Sequence, residues 1–307
     1  MLDLLHPSLR NRESELADDF SRAQPFRHIV IDDFLDAAFC DSLIAEFPPF
    51  NERAAFNEMG KPGRKAVVPD IAKIGPAYRR FDLLMRDPAF LTWTGRVAGI
   101  DRVLYDPQYV GGGTHENLAG QDLDLHVDFN YHPRTLLHRR LNLIVFLNRE
   151  WCEEWGGNLE LCRDPWNPDD ARTTIVPAMN RAVLFETTES SWHGFARIEL
   201  PPDRQDVSRK SIAVYFYTRE RPAVETAASH GTIYVPRPLP ERFRAGYTLA
   251  ASDEEALHVA IERRNSQIRF LYERELELTR TIFGITKSPS FRVGRFLTWP
   301  LRKLLGR

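Results

Sequence analysis

Apolar residues follow two different periods along the chain, and the change between them divides it into three parts. Helical spacing is found over 36–47 and 74–98, after a short alternating run at 26–34. From residue 103 onward, short apolar runs of strand length are separated by glycine- and proline-rich turns. These runs cover 103–109, 123–127, 141–147, 159–161, 173–176, 182–185 and 211–217. Many short strands divided by turns predict an antiparallel sandwich or jelly roll.

The helical period returns near the C-terminal end. Six apolar residues form a stripe at helical spacing there: Leu257, Ile261, Ile268, Leu271, Leu278 and Ile282. We expect this helix to end at Gly284, since glycine commonly terminates helices. Helices gathered outside the strands predict an α+β chain with an all-β core. The predicted organisation is a lead-in segment over 1–25, one β-rich domain over 26–250, and a C-terminal helix with a basic amphipathic tail over 251–307.

Composition narrows the class of protein. The apolar share of 43% and the charged share of 27% are typical of a globular protein. A formal net charge of −2 gives no general surface for nucleic acid, so no nucleic-acid partner is expected. Three cysteines without C-x-x-C spacing argue against a disulfide framework or a zinc knuckle. The sequence shows neither a signal-peptide pattern nor an apolar run of the ~18 residues that a membrane span needs, which predicts a cytoplasmic location.

A histidine and an aspartate two residues apart, His126 and Asp128, stand at the end of one predicted strand. Side chains two apart on a strand point to the same face, so an imidazole nitrogen and a carboxylate oxygen can converge there. His193 would supply a third ligand from a strand across the barrel. Two histidines and one carboxylate on one face of an octahedron leave three positions open, as non-haem Fe(II) requires to hold a co-substrate and O₂. H-x-D alone is a weak signal, and it gains weight from the residues that follow.

Arg209 and Ser211 are again two residues apart on a predicted strand. A guanidinium can bind a carboxylate through two parallel hydrogen bonds, and a neighbouring hydroxyl adds a further donor. This pair suits the distal carboxylate of 2-oxoglutarate, whose keto-acid end would chelate the iron. The competing interpretation is an exposed arginine beside a capping serine. The order of H-x-D, a distal histidine and then R-x-S favours the binding interpretation.

The ordered set resembles a known family. The matching segments are HVD at 126–128, LNLIVFLNREWCEEWGGNLEL at 141–161, SWHG at 191–194 and RKS at 209–211. Together they resemble the prolyl-4-hydroxylase-like branch of the 2-oxoglutarate/Fe(II) oxygenases, over roughly 26–218. The resemblance implies a double-stranded β-helix of jelly-roll or cupin-like type, flanked by N-terminal helices and a C-terminal helical extension. It also implies Fe(II) on His126, Asp128 and His193, with 2-oxoglutarate held by Arg209 and Ser211.

Two further features refine what the resemblance implies. The segment with Trp151, Trp155 and Gly156-Gly157 is specific to this branch; the glycines are expected to form a tight turn and the tryptophans to cover the barrel end. Halogenating relatives have a small residue in place of the carboxylate ligand, so Asp128 favours hydroxylation. The implied reaction consumes 2-oxoglutarate and O₂, releases succinate and CO₂ and hydroxylates a substrate, while the protein supplies coordination, orientation and exclusion of water.

Some assignments stay open at the level of sequence. The stretch between His193 and Arg209 is longer than in relatives, so Arg204 is an alternative partner for the carboxylate of 2-oxoglutarate. An upstream tyrosine often contacts 2-oxoglutarate in the family, which makes Tyr109 a candidate, although packing in the core fits it equally well. Candidate substrate contacts near the predicted metal site are Asn130, Arg140 and His115.

The last segment, 291–307, combines apolar residues with four arginines and one lysine. One interpretation is an amphipathic helix on an anionic membrane surface, which would place the protein at the inner face of the membrane. The other is a tail packed on its own domain or on the partner in a homodimer. The segment also resembles tails of bacterial surface-glycan enzymes, which favours a sugar or glycoconjugate substrate.

Three functions therefore compete. The leading hypothesis is hydroxylation of a small-molecule or glycan-type substrate. The second is a peptidyl hydroxylase of prolyl type that acts on a protein partner. The third, of another class, is a non-catalytic barrel that binds a metal or small molecule, and the combination of a ligand triad with a carboxylate-binding pair argues against it.

Overall fold

The computed structural model describes residues 2–51, 55, 65–167, 169–239 and 242–304. They form two compact units, Met1–Arg237 and Pro238–Arg307. In the part of the chain described, no helix has the length and apolar character needed to cross a membrane. The described α-helices of the first unit are α1 (Glu13–Arg22), α2 (Ala37–Ala45), α3 (Pro76–Met85) and α4 (Pro88–Ala98).

The helical period predicted over 74–98 is divided between α3 and α4. Asp87 separates them, because its carboxylate accepts hydrogen bonds from the backbone N–H groups of Ala89 and Phe90 and so caps the start of α4. Gly99 ends α4 with a left-handed φ of 64°, a conformation that favours glycine. The apolar faces of the helices join one buried cluster with the face of the larger sheet that points away from the smaller sheet.

The strands of the first unit are divided between two sheets. They are β1 (His28–Ile31), β2 (Lys65–Val68), β3 (Leu104–Tyr105), β4 (Gly113–Asn117), β5 (Leu123–Val127), β6 (His138–Phe146), β7 (Leu159–Cys162), β8 (Thr173–Ile175), β9 (Ala182–Glu186), β10 (Trp192–Phe195), β11 (Arg209–Thr218) and β12 (Ile233–Val235). The larger sheet has the order β1-β9-β6-β11-β4-β2, with β3 beside β11. The smaller has the order β12-β5-β10-β7-β8.

Most apolar runs of the sequence coincide with strands, including β5, β6, β7, β8, β9 and β11. The run at 103–109 is a strand only over the two residues of β3. Three strands were not predicted: β2, β4 and β12. β4 begins at the last glycine of the cluster at 111–113, where the sequence indicates only a turn, and β12 contains only three residues.

The second unit is helical. Its described helices are α5 (Ala251–Lys287) and α6 (Pro289–Leu304). The expectation that Gly284 ends the helix is wrong, because α5 continues through it to Lys287. A single glycine weakens a helix by about 1 kcal/mol and does not by itself end it. The break comes at Ser288, which is extended with φ −61° and ψ 143°, as expected for the residue before a proline.

Candidate active site

A cavity between the two sheets receives side chains from both. The two predicted histidine ligands lie on the smaller sheet and line one end of the cavity. The predicted arginine lies on the larger sheet and lines the other end. The polar residues that line the cavity include His115, Asn117, His126, Asp128, Arg139, Asn142, His193, Arg209 and Ser211. Each of the three predicted metal ligands and both members of the predicted carboxylate-binding pair therefore face one space.

The histidines and the aspartate converge on one point. His126 lies on β5, and His193 lies directly opposite it on the neighbouring strand β10. Their ring centroids are 4.2 Å apart, and one ligand atom from each of His126, Asp128 and His193 lies within 4.8 Å of the others. The sequence placed His193 on a strand across the barrel; it is on the adjacent strand of the same sheet, where cross-strand neighbours come closest.

Hydrogen bonds to the backbone orient both imidazoles. Nδ1 of His126 lies 3.0 Å from the carbonyl oxygen of Asp124, and Nδ1 of His193 lies 3.0 Å from that of Ser191. A carbonyl can only accept, so Nδ1 carries the hydrogen in each ring and Nε2 keeps its lone pair. Nε2 of His193 is 3.3 Å from Asp128 Oδ2, and Nε2 of His126 is 3.8 Å from Oδ1. This is the orientation that metal-binding histidines adopt.

Two donors on β6 hold the carboxylate of Asp128. Arg139 Nη2 donates to Oδ2 at 2.8 Å, and Asn142 Nδ2 donates to the same oxygen at 2.9 Å. Burial acts to raise the pKa of Asp128, but the positive charge of Arg139 is the largest opposing effect, and that pKa lies well below its usual value. The carboxylate is therefore ionised, as a metal ligand must be.

Arg139 and Asn142 were not predicted as site residues, and the reason is a local irregularity. The pairing of β6 with β11 shifts register between Phe216 and Tyr217, which face Leu141 and Arg139. The shift brings Arg139 and Asn142 to the same side although they are three residues apart, whereas regular alternation would separate them. The guanidinium of Arg139 also stacks on the rings of Tyr215 and Phe129, at 3.5 and 4.5 Å from their centroids.

Arg209 at the other end of the cavity has no such partner. Its side chain is only 4% exposed and lies against the rings of Phe195 and Phe146, at 4.4 and 5.0 Å from their centroids. Among the described residues, no carboxylate forms an ion pair with it. Burial lowers the pKa of Arg209 to about 9. Ser211, two residues further along β11, is also buried and lines the same cavity.

The predicted glycine turn positions this arginine. Gly156 and Gly157 have φ of 65° and 66°, and a Cβ on Gly156 would collide with the carbonyl oxygen of Arg197. Trp151 donates to the carbonyl of Gly156 at 2.9 Å, and Arg209 Nε donates to the carbonyl of Gly157 at 2.6 Å. The turn predicted from the glycine pair is thus present, and it has a second role that the sequence did not reveal, because it orients Arg209.

These residues fit a divalent metal and an anionic co-substrate. The metal end offers two Nε2 lone pairs and an ionised carboxylate, which is the donor set that non-haem Fe(II) uses. The other end offers a buried guanidinium without a counter-charge, and an uncompensated buried charge is costly unless a ligand neutralises it. A dicarboxylate that reaches from one end to the other would satisfy both.

A family comparison matches the sequence of the barrel. The model of the 2OG-Fe(II) oxygenase superfamily matches residues 113–217, which span β4 to β11 and include His126, Asp128, His193 and Arg209. Residues 113–217 form a 2OG-Fe(II) oxygenase domain. Members of this superfamily use Fe(II), 2-oxoglutarate and O₂, and the family match favours the enzymatic hypotheses over the non-catalytic barrel. No curated protein sequence matches the oxygenase.

Solved structures are similar to the oxygenase at low sequence identity. A prolyl hydroxylase from Trichoplax adhaerens, in complex with a hypoxia inducible factor peptide fragment, is 11% identical with a TM-score of 0.50, covering 74% of this chain and 100% of its own. A prolyl 4-hydroxylase from Phytophthora capsici is 18% identical with a TM-score of 0.49, covering 84% and 74%. HygX from Streptomyces hygroscopicus, with nickel, 2-oxoglutarate and hygromycin B, is 16% identical with a TM-score of 0.45, covering 72% and 96%. The barrel of the oxygenase is thus a double-stranded β-helix, the fold that the family match and the Trichoplax structure share.

Tyr109 does not reach the cavity of the oxygenase. It belongs to the buried cluster under the N-terminal helices, with its hydroxyl 3.3 Å from a carboxylate oxygen of Asp82. Its ring packs edge-on against Tyr105, with the centroids 5.8 Å apart. The core-packing interpretation of this residue is therefore the one that the structure supports. The tyrosine that does line the cavity is Tyr215 on β11, whose hydroxyl donates to the carbonyl of Gly111 at 2.9 Å.

The other candidates divide between the cavity and its surroundings. His115 lines the cavity. Asn130 instead binds the backbone of Ala228 and His230, at 2.8 and 3.0 Å. Arg140 points away from the cavity because the register shift turns it outward, and it pairs with two glutamates, at 3.2 and 3.3 Å: Glu186 and Glu225. Arg204 lies in an exposed turn and pairs with Glu150 at 2.9 Å, so Arg209, rather than Arg204, lines the cavity.

A strand after the matched region completes the site. β12 pairs with β5 along the edge that carries the metal-site residues, with Tyr234 opposite His126. The ring of Tyr234 stacks on the His126 imidazole, with the centroids 5.1 Å apart and an interplanar angle of 29°. Tyr234 and Thr232 both line the cavity. Because this strand is short and follows a long irregular stretch, no periodicity in the sequence predicts it.

Proposed function

We propose that the oxygenase hydroxylates a small-molecule or glycan-type substrate, with Fe(II) on His126, Asp128 and His193. In this proposal Arg209, assisted by Ser211, binds the distal carboxylate of 2-oxoglutarate. The observation that carries the proposal is the presence, in one cavity, of a complete ligand set at one end and an unpaired buried guanidinium at the other. When bound, Fe(II) and 2-oxoglutarate supply the activation of O₂ and the release of CO₂ and succinate, and a substrate C–H becomes C–OH.

The side chains of this chain have separate tasks in that reaction. The two imidazoles present Nε2 to the metal because their Nδ1–H groups are held by the backbone. Arg139 and Asn142 occupy Oδ2 of Asp128, which leaves Oδ1 as the oxygen free to bind the metal. Aromatic side chains, among them Phe129, Tyr215 and Tyr234, line the cavity and exclude water from the reacting groups.

The position of β12 supports a compact substrate over a peptide. An extended peptide often binds by adding a strand to a free sheet edge. Here the edge of β5, which carries His126, is already paired with β12. Peptidyl hydroxylation of prolyl type is the second candidate, since the Trichoplax prolyl hydroxylase, which has the same fold, was solved with a peptide fragment.

Turnover of 2-oxoglutarate tests the proposal. We expect the purified protein, supplied with Fe(II), 2-oxoglutarate and O₂, to form succinate, and we expect His126→Ala to abolish both metal binding and succinate formation. The matched control is His138→Ala, because His138 packs on Tyr131 and does not line the cavity. Succinate formation that survives His126→Ala would overturn the metal assignment. Small molecules, glycan precursors and proline-containing peptides, added in turn, then compare the substrate classes by the increase in succinate.

For the C-terminal tail we propose contact with an anionic membrane surface at the cytoplasmic face. Phe296 and Trp299 on α6 are 80% and 61% exposed, and residues 288–307 contain arginine and lysine but no acidic residue. We expect the protein to sediment with phosphatidylglycerol vesicles at low salt and not with phosphatidylcholine vesicles. Arg292→Glu with Arg295→Glu should abolish this binding, and equal binding to both vesicle types would contradict it.

A further inference from the structure

The long helix α5 carries an apolar stripe that the second unit leaves exposed. The helix has 37 residues, which is about 55 Å at the rise of an α-helix. Ile268 and Leu271, near its centre, are 66% and 61% exposed. The stripe extends in both directions, because Ile261, Leu278 and Ile282 are also more than half exposed. Large apolar side chains in a continuous row are normally covered by another surface.

The stripe repeats every seven residues. One series consists of Ile261, Ile268, Glu275 and Ile282. The other consists of Leu257, Arg264, Leu271 and Leu278. In the nomenclature of coiled coils these are the a and d positions, which face a partner helix, and a repeat sustained over this length is typical of a coiled coil. The first series is interrupted once, by the acidic Glu275, and the second once, by the basic Arg264.

We infer that α5 forms an antiparallel coiled coil with α5 of a second copy of this chain, with Arg264 of each copy paired to Glu275 of the other. One register satisfies every position of the stripe. When Arg264 lies opposite Glu275, the same register places Ile268 opposite Leu271. It also places the remaining apolar residues opposite each other in pairs: Ile261 with Leu278, and Leu257 with Ile282.

Charge selects this arrangement over the alternatives. A parallel dimer would place Arg264 against Arg264 and Glu275 against Glu275, and like charges at facing positions are destabilising. A shift by one heptad would place both charges against apolar residues, where a desolvated charge is costly. Polar residues at a and d positions commonly fix the register and orientation of coiled coils in this way. Neither Arg264 nor Glu275 forms an ion pair with any side chain that the structure describes.

The oligomeric state of the full chain is the first test. We expect light scattering after size-exclusion chromatography to give twice the chain mass of 35.5 kDa at micromolar concentration. The double variant Ile268→Asp with Leu271→Asp should be a monomer with unchanged succinate formation, because the catalytic barrel is a separate unit. A monomeric wild type, or a dimer that survives this double variant, would overturn the inference.

Charge reversal tests the register. Arg264→Glu alone and Glu275→Arg alone should each weaken the dimer by about tenfold or more, because each creates two like-charge contacts. The combined variant, Arg264→Glu with Glu275→Arg, should restore the wild-type dissociation constant. In a parallel dimer the single reversals would change little, since a like-charge contact is present before and after. A combined variant that dimerises no better than the single ones would contradict the antiparallel pairing.

Disulfide trapping provides an independent readout of direction. A mixture of Ile261→Cys and Leu278→Cys chains should form crosslinked heterodimers under mild oxidation. Each variant alone should not, because equivalent positions of the two copies then lie on opposite sides of the two-fold axis, about 25 Å apart along the helix. The wild type is the control for its own thiols, of which Cys40 and Cys162 are buried and Cys152 is partly exposed. Crosslinking of Ile261→Cys with itself would indicate parallel helices and overturn the inference.

Discussion

Two buried arginines line the same cavity, and they differ in whether a carboxylate of the protein neutralises them. Arg139 is fully buried and donates to the carboxylate of Asp128 at 2.8 Å. Arg209 is 4% exposed and, among the described residues, has aromatic rings and a backbone carbonyl around it but no carboxylate. Burial lowers the pKa of both; for Arg139 the charge of Asp128 outweighs burial and raises its pKa, whereas the pKa of Arg209 falls to about 9.

The protein itself neutralises the charge of Arg139, whereas the charge of Arg209 is left for a ligand to neutralise. The pair of Arg139 and Asp128 is already neutral and hydrogen-bonded, so it fixes the metal ligand in place before any metal arrives. Arg209 has a charge that only a bound anion can compensate, which gives 2-oxoglutarate a strong preference for that end of the cavity. One end is preorganised, and the other is selective for charge.

The largest effect is expected on removing the paired arginine. Arg139→Met should lower the free energy of unfolding of the metal-free protein by about 3–5 kcal/mol, because Asp128 remains buried without a compensating charge. Urea unfolding in the presence of a chelator measures this loss. Addition of Ni²⁺, which neutralises the carboxylate, should recover part of the stability.

A second variant separates the lost pairing from lost packing. Asp128→Asn with Arg139→Met removes both charges, so it should be more stable than Arg139→Met alone in the metal-free state. If the double variant is as unstable as the single one, the loss comes from the stacking of the guanidinium on Tyr215 and Phe129 instead.

The same substitution at the unpaired arginine should act in the opposite direction on stability. Arg209→Met should weaken binding of 2-oxoglutarate to the metal-loaded protein by about 100-fold, because the carboxylate loses a bidentate charged partner. It should also raise the free energy of unfolding of the free protein by about 1 kcal/mol, since an uncompensated buried charge is removed. Calorimetric titration and urea unfolding measure the two effects.

Arg204→Met is the matched control for this variant. Arg204 is exposed and paired with Glu150, so its loss should change stability by less than about 1 kcal/mol and should leave the affinity for 2-oxoglutarate unchanged. Weakened binding in Arg204→Met together with normal binding in Arg209→Met would reverse the assignment of the two arginines.

The comparison also shows what a sequence can and cannot reveal about such a site. Ligands two residues apart on one strand, His126 with Asp128 and Arg209 with Ser211, are predictable because strand alternation places both side chains on one face. Arg139 was missed and Arg140 was chosen, because the register shift between β6 and β11 reverses which of the two faces the cavity. A bulge leaves no periodic signal in a single sequence.

Tertiary context accounts for the other differences. Tyr109 has a backbone φ of 47° in a turn that directs its ring into the core, which no local pattern predicts. Tyr234 reaches the site from a three-residue strand after an irregular stretch, so its contact with His126 depends on long-range pairing alone. Strands with a clear apolar run, by contrast, agree with the prediction, as β5 and the run at 123–127 show.

The smallest expected effect is a pH dependence that distinguishes the two arginines. Below about pH 9, Arg209 is charged in the free protein and the affinity for 2-oxoglutarate should be constant. Above that pH the free protein loses the proton, whereas a bound carboxylate retains it, so affinity should fall by about tenfold for each further pH unit. Calorimetric titrations at intervals from pH 8 to 10, with Arg209→Met as a variant that lacks the titrating group, measure the difference. Arg139 keeps its charge throughout this range because Asp128 raises its pKa. If the affinity for 2-oxoglutarate still falls with pH in Arg209→Met, another group causes the fall, and the contrast between the two arginines is contradicted.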